Sequence, residues 1–94
     1  MLVISVKLVI DPADAEVFGA RLQQHAKNST AQDGCVDFAV GRAQDEPGTF
    51  RMWEVYTGQA AFDEHLAADF MAEWREFSGP YVKDRDVQIC DKIA

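Results

Sequence analysis

No run of eighteen apolar residues occurs in this chain, so no membrane-spanning helix is expected. Cysteine is scarce. The 2 present, Cys35 and Cys90, form neither a disulfide framework nor a CxxC pair. Each falls in a strand-like stretch, where a free thiol behaves as a small hydrophobe, and a cytoplasmic, reducing compartment is expected. Positive charge is also short: 9 Lys and Arg stand against 16 Asp and Glu, for a net charge of −7. The basic residues are scattered, which argues against nucleic acid and against an anionic membrane surface. The 2 histidines, His25 and His65, have no neighbouring ligands at metal-site spacing, so no metal is expected. There is no glycine-rich phosphate loop, no nucleophile elbow, no repeat and no low-complexity segment. The opening MLVISVKLVI lacks a basic n-region and a small-residue cleavage site, and reads as a strand rather than a signal peptide.

What remains is one domain's worth of chain, 94 residues with 48% hydrophobic content. Residues 2–10 alternate as a strand, with Leu2, Ile4, Val6, Leu8 and Ile10 on one face. Asp11-Pro12 signals a helix start, Asp as cap and Pro at the first position. The helix is expected over 12–31, with Phe18, Leu22, Ala26 and Val17 inward and His25 at the edge of that face, structural or half-solvated. Asp33-Gly34 ends it. Cys35–Arg42 and Thr49–Tyr56 read as strands joined by a Gln44–Gly48 loop into an antiparallel hairpin. Val36, Phe38 and Val40 are expected on one face, and Cys35, Asp37 and Ala39 on the other.

The segment FRMWEVYTGQAAFDEHL, residues 50–66, changes period halfway. Phe50, Met52, Glu54 and Tyr56 alternate with Arg51, Trp53, Val55 and Thr57; from Gly58 the spacing becomes helical, and Ala61, Phe62, His65 and Leu66 share a face. A second helical piece over 69–77 places Phe70, Trp74 and Phe77 together, Ser78-Gly79-Pro80 stops it, and 85–93 is the last strand. The order is β-α-β-β-α-β with its second helix broken, the ferredoxin-like α+β pattern. Four antiparallel strands with helices on one face leave the other face bare, and a second copy packed sheet to sheet would cover it.

These residues resemble the antibiotic biosynthesis monooxygenase (ABM) family, in its branch of small quinol monooxygenases. The likeness is carried by Ala26-Lys27-Asn28-Ser29, by Asp33-Gly34-Cys35-Val36-Asp37-Phe38-Ala39-Val40, by Trp53-Glu54-Val55-Tyr56, by Ala61-Phe62 and by His65, and it spans essentially the whole chain. The resemblance implies a dimeric α+β barrel with a pocket between sheet and helices. It also implies oxidation of electron-rich aromatics, such as quinols, naphthols and anthrones, by molecular oxygen with no cofactor, neither metal nor flavin. Haem-degrading relatives use an Asn on the first strand, where this chain has Ser5 and Lys7, so haem degradation is not expected.

Such a pocket needs a base to form an aromatic anion, donors to hold it, and apolar walls. His65 is the expected base, because an unperturbed imidazole titrates near neutral pH, and Asn28 is the expected donor to an oxyanion. Phe38, Phe62, Trp74, Trp53 and Tyr56 are the expected substrate contacts. Trp53 and Tyr56 lie on opposite faces of one strand, so at most one lines a given cavity. Plainer roles compete: packing for the tryptophans, a helix cap for Asn28, a cross-sheet ion pair for Glu54, and a solvated acidic face for Asp63, Glu64, Asp69, Glu73 and Glu76. Two other functions stay open. One is an isomerase of a small phosphorylated signal metabolite, using Lys7, Arg42 or Arg51. The other is a non-catalytic dimer binding a hydrophobic ligand.

Overall fold

The computed structural model describes residues 1–94. Its elements are β1 (Leu2–Val9), α1 (Ala15–Thr30), β2 (Cys35–Arg42), β3 (Thr49–Tyr56), α2 (Gln59–Ala67), α3 (Asp69–Ser78) and β4 (Asp84–Asp91). The strands form one sheet in the order β2-β3-β1-β4, with every neighbouring pair antiparallel. This is the ferredoxin-like arrangement that the element order predicts.

The approach to α1 follows from two residues. The Asp11 carboxylate accepts the Ala13 N–H at 3.0 Å, and Pro12 supplies a preset φ. A 3₁₀ turn, Pro12–Asp14, comes first, so the α-helix proper starts at Ala15 rather than at Pro12. Its buried stripe is Ala15, Phe18, Leu22, His25 and Ser29. Val17 does not join it: one residue is a 100° step, which puts Val17 on the helix shoulder at 59% exposure.

β2 also departs from simple alternation. Its ladder with β3 shifts between Cys35 and Asp37, so Val36 is the extra residue of a bulge. Val36 is therefore exposed instead of sharing a face with Phe38 and Val40. Cys35 turns inward and joins the core, its thiol directed at the Asp37 carbonyl. The hairpin that follows needs a glycine. Gly48 has φ +88°, its carbonyl accepts the Ile10 N–H at 2.8 Å, and a Cβ there would collide with the Ile10 carbonyl.

The core lies between the sheet and the helices. Ile4, Val6 and Leu8 from β1, Ile10 just after it, and Phe50, Met52 and Tyr56 from β3 face Phe18, Leu22 and Trp74. Phe18 is wholly buried, with the rings of Phe50 at 5.3 Å and Trp74 at 5.5 Å. Ala68 is extended (ψ 146°), and this one residue separates α2 from α3. α2 then packs on β3 and α3 on α1. The helices stop short of β4, the edge strand. Val87 and Ile89 sit opposite Val6 and Ile4 on the helix side, yet remain 39% and 59% exposed. On the opposite face Val3 and Val55 are buried cross-strand partners, and Trp53 is half exposed.

Candidate active site

The uncovered strip between β4 and the helices opens into a cavity of about 480 Å³. Its floor is Ile4, Val6, Leu8 and Met52, the inward residues of the two central strands. Its roof is Phe62, Leu66, Met71 and Trp74. Into this apolar space project His25 from α1, Glu54 from β3 and His65 from α2, with Arg75, Ser78 and Arg85 also on the lining.

Glu54 is the central group. The even-numbered face of β3 is the core face, so the carboxylate is carried inward with Met52 and Tyr56 and is only 5% exposed. The Tyr56 hydroxyl donates to Glu54 Oε1 at 2.6 Å, and His65 Nε2 lies 3.8 Å from the same oxygen. Burial pushes the Glu54 carboxyl up from 4.5 to about 7, against the opposing pull of the Tyr56 hydrogen bond and of Arg85. Burial, with the Glu54 charge and this hydrogen bond adding to it, raises the Tyr56 phenol, so it stays a neutral donor.

His65 is 2% exposed and points at the cavity because α2 begins right after β3. Its Nδ1 is 2.8 Å from Gln32 Oε1. An amide oxygen only accepts, so Nδ1 carries the proton and Nε2 presents a lone pair toward Glu54 and the cavity. Burial, with Arg75 adding to it, lowers the imidazole to about 4. The imidazole is thus neutral at physiological pH and is a weaker base than its ordinary value implies. The stronger base of the pair is the carboxylate.

His25 makes a second imidazole at the same site. It is 1% exposed, not half-solvated, and stacks on Trp74 at 4.6 Å with Phe38 edge-on at 5.6 Å and His65 at 6.0 Å. Its Nδ1 has no hydrogen-bond partner. Burial, then the neighbouring His65 and Arg21, lower it to about 3.

Of the expected site residues, His65, Phe62 and Trp74 line the cavity. Tyr56 and Phe38 stand behind it: Tyr56 holds Glu54, and the Phe38 ring lies 6.0 Å from His65. Two do not reach it. Trp53 points to the opposite sheet face, as strand alternation requires once Glu54 and Tyr56 face in. Asn28 lies off the lining, and its Oδ1 accepts from Gln24 one helical turn back at 3.0 Å. Glu54 pairs with a tyrosine and a histidine rather than with an arginine across the sheet. Lys7 and Arg51 share the outer face with Trp53, and Arg42 pairs with Glu16 at 2.9 Å, so none of these cations is at the cavity. No three His, Cys, Asp or Glu side chains converge to hold a metal ion.

Residues 1–76 match the antibiotic biosynthesis monooxygenase family. The chain belongs to that family. Solved structures agree on the fold. A Nitrosomonas europaea protein described by the same family name is 19% identical, with each chain covered over 100% and a TM-score of 0.94. A Mycobacterium tuberculosis protein is 19% identical over 99% of this chain and 95% of its own, with a TM-score of 0.90. A Pseudomonas aeruginosa protein is 17% identical over 99% and 94%, also at 0.90. At these identities the likeness is one of fold. No curated protein matches the chain significantly. No helix is long and apolar enough to cross a membrane.

Proposed function

We propose that this ABM-family chain is a cofactor-independent monooxygenase that oxidises a small electron-rich aromatic, a quinol, naphthol or anthrone, with molecular oxygen. The observation that carries the reading is the buried Tyr56–Glu54–His65 cluster at an apolar cavity of about 480 Å³, a size suited to a fused-ring aromatic. A carboxyl held at about 7 is half ionised near neutral pH, where a general base is most effective.

In this reading the substrate hydroxyl, or the acidic C–H of an anthrone, meets Glu54 and His65. Glu54 takes the proton, and the neutral His65 ring packs beside it, its Nε2 lone pair open to a second hydroxyl of the substrate. The resulting anion passes one electron to dioxygen, and the radical pair joins at a ring carbon as a peroxide. Protonation of the outer peroxide oxygen by the carboxyl, with loss of the remaining hydrogen from the ring carbon, releases water and leaves a new carbonyl. One oxygen atom enters the product and the other leaves as water. The chain supplies the base, the orientation and a largely apolar cavity. The bare sheet face around Trp53 pairs with a second copy in the same proposal, giving a homodimeric α+β barrel.

Oxygen uptake by metal-stripped protein against reduced quinols, naphthols and anthrones tests the proposal, with His65→Ala and Glu54→Gln alongside. Uptake above autoxidation should rise with pH through about 7 and fall at least tenfold in both variants. Uptake no faster than autoxidation across the panel would sink it.

A further inference from the structure

We infer that the substrate of this cavity is an aromatic that also carries an anionic substituent, a carboxylate, seated at Arg75 and Arg85 away from the reacting hydroxyl at Glu54. The inference rests on the oxygenase reading for where the hydroxyl sits, and on the distribution of charge for the rest. The chain as a whole is acidic, at −7. Its cavity is not. The lining holds two arginines and one carboxyl, with no Asp and no Lys.

Sequence neighbours make this separation unusual. Arg85 sits between Asp84 and Asp86, and Arg75 lies close to Glu73 and Glu76. Strand alternation sends Asp84 and Asp86 to the opposite face, where Asp86 sits across from Lys7, and leaves Arg85 on the face of Val87 and Ile89. The ion pairs of the molecule are Arg42–Glu16 and Lys83–Asp11, so neither cavity arginine has a carboxylate within ion-pair distance. Arg75 is tethered through one nitrogen: its Nη2 donates to the Leu66 carbonyl at 2.8 Å, at the end of α2. The rest of its guanidinium donors carry no other bond, and the Arg85 side chain makes none.

Register gives the direction. Glu54 lies opposite Ile4, and Arg85 opposite Leu8, on the two sides of β1. At ordinary strand rise and spacing their Cα atoms are roughly 17 Å apart. Arg85 is therefore rooted at the far corner of the apolar floor, on the uncovered edge strand, and its guanidinium reaches back far enough for its charge to pull on Glu54. A flat ligand with a hydroxyl at one end and a carboxylate at the other meets a base and a cation in turn. Guanidinium groups free of partners provide the geometry that a carboxylate accepts.

The test is calorimetric titration of the full chain with 6-hydroxy-2-naphthoate and with its methyl ester. The two differ only in the charge at the end remote from the hydroxyl. The acid should bind at least tenfold tighter than the ester. Arg85→Gln and Arg75→Gln should each cut that preference at least threefold by weakening the acid more than the ester; Arg85 is exposed on an edge strand, so its replacement leaves the core intact. Equal binding of acid and ester, weakening of both ligands alike by the arginine variants, or no binding of either overturns the inference. Ribose 5-phosphate is the control for an anion without a ring, and binding as tight as that of the naphthoate also overturns it. Because binding is read without turnover, the two readings fail separately. Preference for the acid with no quinol oxidation sinks the oxygenase alone, and oxidation of neutral quinols with no such preference sinks only the anion site.

Discussion

Replacing Glu54 by Gln should make the protein more stable in alkali and leave it unchanged in acid. Gln has nearly the same shape. Its Oε1 still accepts the Tyr56 hydroxyl, and its amide N–H can donate to the free lone pair of His65 Nε2. What changes is titration. The Glu54 carboxyl sits at about 7 instead of 4.5, so its ionised form is disfavoured in the folded state. At about 1.4 kcal/mol per tenfold, that cost is about 3 kcal/mol. The folded value lies above the unfolded one. Stability from this group is therefore fully present below pH 4.5 and is lost as pH rises through about 7.

The difference between variant and native protein should be near zero below pH 4.5. It should grow across the interval up to pH 7 and level off at about 3 kcal/mol above it. Urea unfolding at fixed protein concentration reads this directly, with the buried Trp74 as a fluorescent reporter. At a slope of about 1 kcal/mol per molar, the midpoint should move by roughly 2–3 M at pH 8 and hardly at all at pH 4. A pH-independent difference, or a variant less stable than the native chain at pH 8, would refute the claim that an ionised carboxylate is held there against its own solvation. A gain in stability with a loss of oxygen uptake would identify the charge as kept for chemistry and not for folding.

Three further outcomes follow. His25 and His65 titrate folded at about 3 and about 4 against 6.5 unfolded, so the stability they contribute is present above 6.5 and lost as pH falls toward those values. Acidifying Glu54→Gln from pH 7 to 5 should cost about 2 kcal/mol per histidine by urea unfolding, and a flat profile would mean the imidazoles are not held neutral. Gly48→Ala, at φ +88° against the Ile10 carbonyl, should lower stability by about 2 kcal/mol, and an unchanged melting temperature would contradict the turn geometry. Trp53→Arg should turn a sedimenting dimer into a folded monomer, and a native chain that sediments as a monomer would end the proposal that this sheet face is covered by a second copy.

The fold was legible because its signals are local. Alternation in Leu2–Val9 and Thr49–Tyr56, Asp11-Pro12 before α1 and Ser78-Gly79-Pro80 after α3 each act over a few residues. The structure departs from the sequence reading where a local rule has an exception that the sequence does not announce. A bulge at Val36 adds one residue to β2 and exchanges the faces of Cys35 and Val36. Val17 is as apolar as Leu22, but one residue of rotation separates it from the stripe that faces the sheet.

The site was harder to read because it depends on which distant elements touch. Alternation alone forces Trp53 outward once Glu54 faces in. The choice between the two faces needed the helices, which lie over the Glu54 side. His25 had a signal, since it continues the stripe of Phe18 and Leu22 by i+7 and i+3, but a polar residue on that stripe reads equally as its edge. Rings brought by other elements, Trp74 stacked on it with Phe38 and His65 alongside, make it fully buried. The relative basicity of His65 and Glu54 is the clearest case. Sequence supplies ordinary acidities, and on those the imidazole is the neutral-pH base. Burial acts on both groups in opposite directions, lowering the cation to about 4 and raising the acid to about 7. The residue type best suited to the task in water is therefore not the better base inside this cavity, and the Tyr56 hydroxyl, two residues along the same strand, holds the carboxylate that takes its place.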